Sequence, residues 1–96
     1  MLAITPFDEE ADAIRMANGT RYGLIAYVWT AQLSTAMRAA KGIRSSVLIN
    51  AGPVQGEGAG HAASIEPFGE SGLGTEGGLA GMESYLRRQL VWINHP

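Results

Sequence analysis

The sequence predicts an α/β fold, and two patterns carry that prediction. Short apolar, β-prone runs alternate with helical stretches in the order strand, helix, strand, helix, strand, and the connections between them are short. Such alternation implies parallel strands joined by crossover helices, a partial Rossmann-like sheet. A long glycine-rich loop and a C-terminal extended strand are expected to follow.

Leu2 to Thr5 is a short apolar stretch suited to a buried strand. Asp8 can cap the helix that follows, and Glu9 and Glu10 complement the dipole of its first turn. Ala11, Ala13, Ile14 and Ala17 give that helix an apolar stripe. Asn18-Gly19 ends it, because both residues tolerate the left-handed conformation of a C-cap. Leu24 to Trp29 is nearly all apolar and rich in β-formers, so it reads as a strand covered on both faces. Thr30 is the next expected N-cap. Leu33, Ala36, Met37, Ala40 and Ile43 then fall at helical spacing, with Lys41 and Arg44 favouring the C-terminal end. Met16 and Met37 read as core filling. Ser46 to Asn50 is the third strand.

From Ala51 to Gly78 the periodicity disappears, and glycine, alanine, proline and serine dominate. Leu79 to Ser84 has the length of one or two helical turns. Tyr85 to Ile93 alternates as a strand, with Leu86, Leu90 and Trp92 on one side and Val91 and Ile93 on the other. It has no hairpin partner nearby in sequence. A strand of that kind needs an edge elsewhere to pair with.

Composition narrows the function classes. The chain has 96 residues, 46% of them apolar, and 13 glycines, which raise the entropic cost of folding. A net charge of −2 provides no basic footprint for nucleic acid. The run from Gly23 to Trp29 is too short to span a bilayer, and the first residues lack signal-peptide character. A cytoplasmic location is the default expectation. Zero cysteines exclude disulfides, Cys-based zinc sites and a thiol nucleophile from this chain.

Isolated motifs favour structural readings. Gly72-Leu73-Gly74-Thr75-Glu76-Gly77 matches GxGxxG by letter, but Pro67 to Ser71 is not the buried strand that a pyrophosphate-binding turn needs. Ser71 misses the nucleophile elbow because Leu73 replaces the second glycine. His61 and His95 are isolated from carboxylates at ligand spacing. Glu9, Glu10 and Asp12 read as a helix start and a solvated face. No constellation supports self-contained catalysis.

A longer pattern says more. Pro6-Phe7, Ala13-Ile14, Ala17-Asn18, Thr20, Tyr22-Gly23-Leu24, Ala26 and Val28-Trp29-Thr30 form a run that closely resembles part of the aldehyde dehydrogenase family's catalytic domain, near its C-terminal end. The resemblance continues through Ala36-Met37-Arg38 and Val47 to Asn50. It resumes at Pro67-Phe68-Gly69 and Ser71 to Gly74, and closes with Gly78-Leu79, Tyr85-Leu86 and Val91-Trp92-Ile93. In that family a cysteine thiol attacks the aldehyde, hydride passes to NAD or NADP, and water releases the acid from a thioester. The resemblance implies that the nucleophile, its general-base glutamate and the cofactor domain precede this segment. The cofactor-contacting Glu-x-Phe-Gly-Pro motif would fall immediately before Met1.

The resemblance therefore implies an enzyme fragment, inactive alone and binding no cofactor by itself. Residues 1–84 would be the C-terminal portion of the catalytic domain, and 85–96 an oligomerisation strand and tail. Asn50, Ile65 and Phe68 would line the aldehyde channel. Tyr85, Leu86, Leu90, Val91, Trp92 and Ile93 would pair with the remainder of the dehydrogenase chain or a like subunit. Two departures stand out: Glu70 alone separates Gly69 from Ser71, and Thr75 replaces a frequent arginine before Glu76. The rival reading is a stand-alone interaction module, which would be folded, cooperative and dimeric. A fragment deprived of its sheet partners would be molten or aggregating.

Overall fold

In the computed structural model, which describes residues 1–51 and 62–96, the expected alternation forms from its first helix to its last strand, while its first strand and the separate C-terminal strand do not form. Helix α1 spans Glu10–Ala17 and is followed by the two-residue strand β1, Tyr22–Gly23, and by strand β2, Ile25–Val28. Helix α2, Leu33–Gly42, crosses to strand β3, Ser46–Ile49. Strands β2 and β3 pair in parallel with Ile25 opposite Ser46 and Val28 opposite Ile49. Two further bonds lengthen the ladder: Ser46 N–H donates to Leu24 O (3.1 Å) and Asn50 N–H to Val28 O (2.8 Å). The parallel order and the intervening helix match the expectation. The sheet has two strands, not three.

Leu2 to Thr5 forms no strand and lies exposed. A strand is defined by its ladder, and none is made with this stretch among the described residues. The capping expectations also shift. Glu9, in extended conformation, is the N-cap of α1 in place of Asp8, and its carbonyl accepts from Asp12 N–H (3.0 Å) and Ala13 N–H (3.2 Å). Gln32 takes the N-cap of α2 because Thr30 Oγ1 accepts from Gln32 N–H (3.1 Å), which starts the turn two residues earlier than the helix. Helix α1 ends where expected, but Asn18 is right-handed (φ −85°, ψ −5°) and Gly19 N–H closes onto Met16 O (3.1 Å). The left-handed cap is not used.

Helix α2 faces inward through its smallest residues. Ala36 and Ala39 are 3% and 5% exposed, while Leu33 and Met37, expected on the apolar stripe, are 77% and 48% exposed. A Cβ added to Gly42 would meet Ile14 Cγ2 at 2.9 Å. Ala36, Ala39 and Gly42 thus form a line of small residues on which α1 seats closely, and the larger side chains point away. On α1, Ala13 and Ile14 are half-buried while Ala11 and Ala17 are exposed, so that stripe is narrower than expected. Nor is β2 covered on both faces, since Tyr27 remains exposed.

The glycine-rich region contains one element that its composition hides. Strand β4, Phe68–Gly69, pairs antiparallel with β1, placing Tyr22 opposite Gly69 and Gly23 opposite Phe68. Ile65 and Glu76 form a further bridge, and helix α3, Gly78–Glu83, supplies the expected helical turns. Tyr85 to Ile93 is exposed and forms no strand among the described residues.

Ala36 and Ala39 are the buried hydrophobic residues among those described. The accessible surface is 8341 Å², against about 5,300 Å² expected for a folded monomer of this mass. The radius of gyration is 18.4 Å, well above the ~13 Å of a 100-residue domain. The described residues fold locally and bury only Ala36 and Ala39 as hydrophobic core.

Candidate functional site

The ends of α1 and α2 meet at Asn18. Its Nδ2 donates to Gly42 O (2.7 Å), its Oδ1 accepts from Arg44 N–H (2.8 Å), and its carbonyl accepts from Arg44 Nη2 (3.0 Å). Three bonds across 24 to 26 residues join the two helix ends to the entry of β3. Asn18 is thus a clamp between elements.

A second junction centres on Gly23. Its N–H donates to Ser71 Oγ (2.8 Å), and an added Cβ would lie 2.2 Å from Arg44 O. Only glycine fits that approach. Across the strand pair, Gly69 (φ 56°) approaches Arg21 O equally closely, and Glu70 N–H donates to that oxygen (2.8 Å). The Arg21 and Glu70 side chains add an exposed ion pair at 3.3 Å, and the Arg21 guanidinium lies 5.9 Å from the Tyr22 ring centroid.

Of the three residues expected in an aldehyde channel, Phe68 lines an open hollow of about 230 Å³ with Arg21, Tyr22 and Arg44. Ile65 lines a different hollow, with Leu24, Leu73 and Tyr85. Asn50 lines neither. Its left-handed backbone (φ 51°) turns the chain after β3, while its side chain accepts from Thr30 N–H (2.9 Å) and donates to Thr30 O (2.8 Å). Among the described residues these three do not converge on one cavity. The intervening loop and His61 lie outside the described residues.

The GxGxxG letters resolve into a chain of left-handed glycines: Gly72, Gly74 and Gly77 all have positive φ. Gly77 caps α3 from the preceding turn, and that turn is bridged through Ile65 and Glu76 instead of following a buried strand. This agrees with a structural glycine turn. Tyr85, Leu86, Leu90, Val91, Trp92 and Ile93 are all exposed, Trp92 to 84%.

The strongest electrostatic feature lies on the helices. Arg38 Nε and Nη2 donate to the two Glu10 carboxylate oxygens, each at 2.7 Å, and Thr35 Oγ1 donates to Oε2 at 3.3 Å. The Arg38 hydrogen bonds hold the Glu10 pKa below its ordinary value, and Glu10 raises that of Arg38 in return. The pair joins α1 to α2. Among the described residues no group of three His, Asp or Glu side chains could hold a metal. Ser71 bonds to the Gly23 backbone and not to a base.

Glu10, Asn18 and Arg21 of the Pro6–Thr30 run thus bond to other parts of the scaffold. Sequence reasoning did not find the partners of Asn18, Gly23 and Ser71. The residue types were the only signal, because their partners lie 24 to 48 positions away.

The chain belongs to the aldehyde dehydrogenase family, whose profile it matches over residues 1–91. It is 44% identical to the 3,6-anhydro-alpha-L-galactose dehydrogenase of Streptomyces coelicolor, over 99% of this chain and 19% of that protein. It is 36% identical to the mitochondrial succinate-semialdehyde dehydrogenase of Oryza sativa subsp. japonica, over 96% of this chain and 17% of the relative. Lactaldehyde dehydrogenase from Escherichia coli superposes with a TM-score of 0.76 at 32% identity, over 91% of this chain and 18% of that one. An indole-3-acetaldehyde dehydrogenase solved with NAD+ gives 0.74 at 38% identity, over 93% and 17%. The chain thus spans about a fifth of the length of the relatives it matches.

Proposed function

We propose that this chain is a scaffold segment of an NAD(P)-dependent aldehyde dehydrogenase and performs no chemistry alone. One observation carries the reading: a chain of this family with no cysteine has no thiol to attack an aldehyde. The committed hydrogen bonds of Asn18, Asn50 and Ser71 support it, since none of these side chains is poised as a nucleophile or base. The two parallel strands would belong to a wider Rossmann-like sheet completed by the rest of the enzyme.

Residues 1–84 would complete the catalytic domain, bringing Phe68, Ile65 and Asn50 to the aldehyde entrance once neighbouring segments close around them. Residues 85–96 would supply a strand to the remaining chain or to a like subunit. Their exposed apolar side chains and open backbone favour pairing. NAD is the favoured cofactor of the whole enzyme, as in the indole-3-acetaldehyde dehydrogenase complex. The relatives' names make a semialdehyde or a small hydroxyaldehyde the first substrates to try.

Absorbance of NAD(P)H tests the proposal. The purified chain, given succinate semialdehyde or lactaldehyde with NAD+ or NADP+, is expected to form none above the buffer rate. Turnover that scales with chain concentration would overturn the reading.

A further inference from the structure

We propose that Asn18-Gly19 is a deamidation site that the fold holds closed, so that the modification marks chains in which α1 and α2 have come apart. Glycine after asparagine leaves the attacking backbone nitrogen unhindered. The Gly19 nitrogen attacks Asn18 Cγ, forming a C–N bond as the Cγ–Nδ2 bond breaks, and ammonia leaves with the amide proton. Water then opens the cyclic imide at either carbonyl to give aspartate or isoaspartate.

Each component of that reaction is restrained in the folded chain. The leaving nitrogen is tied to Gly42 O (2.7 Å), and Oδ1 is held by Arg44 N–H (2.8 Å), so the amide cannot swing toward Gly19. The attacking nitrogen carries a proton already donated to Met16 O (3.1 Å). With ψ at −5°, the Gly19 nitrogen is turned away from the Asn18 side chain, whereas ring closure needs the two nearly eclipsed. Separating α1 from α2 frees the Asn18 side chain, and fraying of the last turn of α1, no longer held by the clamp, frees the Gly19 nitrogen.

The product cannot re-form the clamp. Aspartate places an acceptor where Nδ2 donated, against the Gly42 carbonyl oxygen. Isoaspartate also lengthens the backbone at the end of α1. A chain left open long enough would lose the Asn18 link between its two helices and keep the Glu10–Arg38 pair and the Ile14–Gly42 contact.

Peptide mapping by mass spectrometry tests this on the full chain, incubated at one mildly alkaline pH with and without guanidinium chloride. Asn94 is exposed in the folded chain and serves as an internal reference. Relative to Asn94, Asn18 is expected to convert about tenfold or more slowly in buffer than in denaturant. Gly19→Ala should suppress the denaturant rate, identifying the Gly19 nitrogen as the attacking group. Equal Asn18 rates in the two solvents, or an unchanged rate in Gly19→Ala, would overturn the proposal.

Discussion

Leu24–Trp29 and Tyr85–Ile93 are both apolar, β-prone stretches, yet only the first contains a strand. The difference lies in what each backbone meets. Residues 25–28 find β3 in parallel register after a single helical crossover, and the side chains of Asn50 and Ser71 fasten the ends of that region. Beyond Leu86 no backbone group bonds to another backbone group among the described residues. Leu2–Thr5 behaves like the C-terminal stretch. β-propensity prepares a segment for a ladder, and the partner decides whether the ladder exists.

The largest break in this comparison comes at Gly23, where the closed region meets β4. Gly23→Ala would drive a methyl group into the Arg44 carbonyl oxygen, an overpacking cost of about 3 kcal/mol. Hydrogen exchange should show the Glu70 amide, bonded to Arg21 O, losing its protection as β1 and β4 separate. Unchanged protection there would mean that the close approach is not a constraint.

Asn18→Ala should act next. It removes two side-chain bonds and leaves Gly42 O and Arg44 N–H without partners, at roughly 1–3 kcal/mol. Faster exchange at Arg44, with little change at Ala80, would confine the effect to the helix junction. Ser71→Ala loses one bond, to Gly23 N–H, at about 1 kcal/mol. Exchange at Gly23 would then quicken roughly fivefold.

The smallest effect concerns pH. Arg38 lowers the folded-state pKa of Glu10, so the Glu10 contribution is fully present above the ordinary carboxylate value of 4.5 and is lost as pH falls through the lower folded value. The docking of α1 on α2 should therefore weaken in acid. Glu10→Gln should flatten that dependence, and an identical acid profile in the variant would assign it to another group.

The legible part of this fold is the part whose partners lie close in sequence. Leu24–Trp29, the helix through Ala36 and Ala40, and Ser46–Asn50 announced a parallel crossover because periodicity reports a single element's own faces. Two-residue strands such as Tyr22–Gly23 and Phe68–Gly69 have no periodicity to read. Asn18 reads as a left-handed cap from residue type, and only the folded chain reveals that its side chain serves α2. Asp8 and Thr30 were near misses for the same reason, since cap chemistry is shared among adjacent polar residues. Asn50, Ile65 and Phe68 share no local pattern, and among the described residues Phe68 and Ile65 line different hollows.

Residues 22–50 find their backbone partners within this chain, whereas residues 85–93 are proposed to find theirs in protein outside it. Hydrogen exchange along the purified chain, read by mass spectrometry, tests it most directly. The account predicts protected amides at Ser46 to Asn50 and free-chain exchange from Arg87 to Ile93. Protection of the C-terminal stretch equal to that of β3 in the monomeric chain would contradict it.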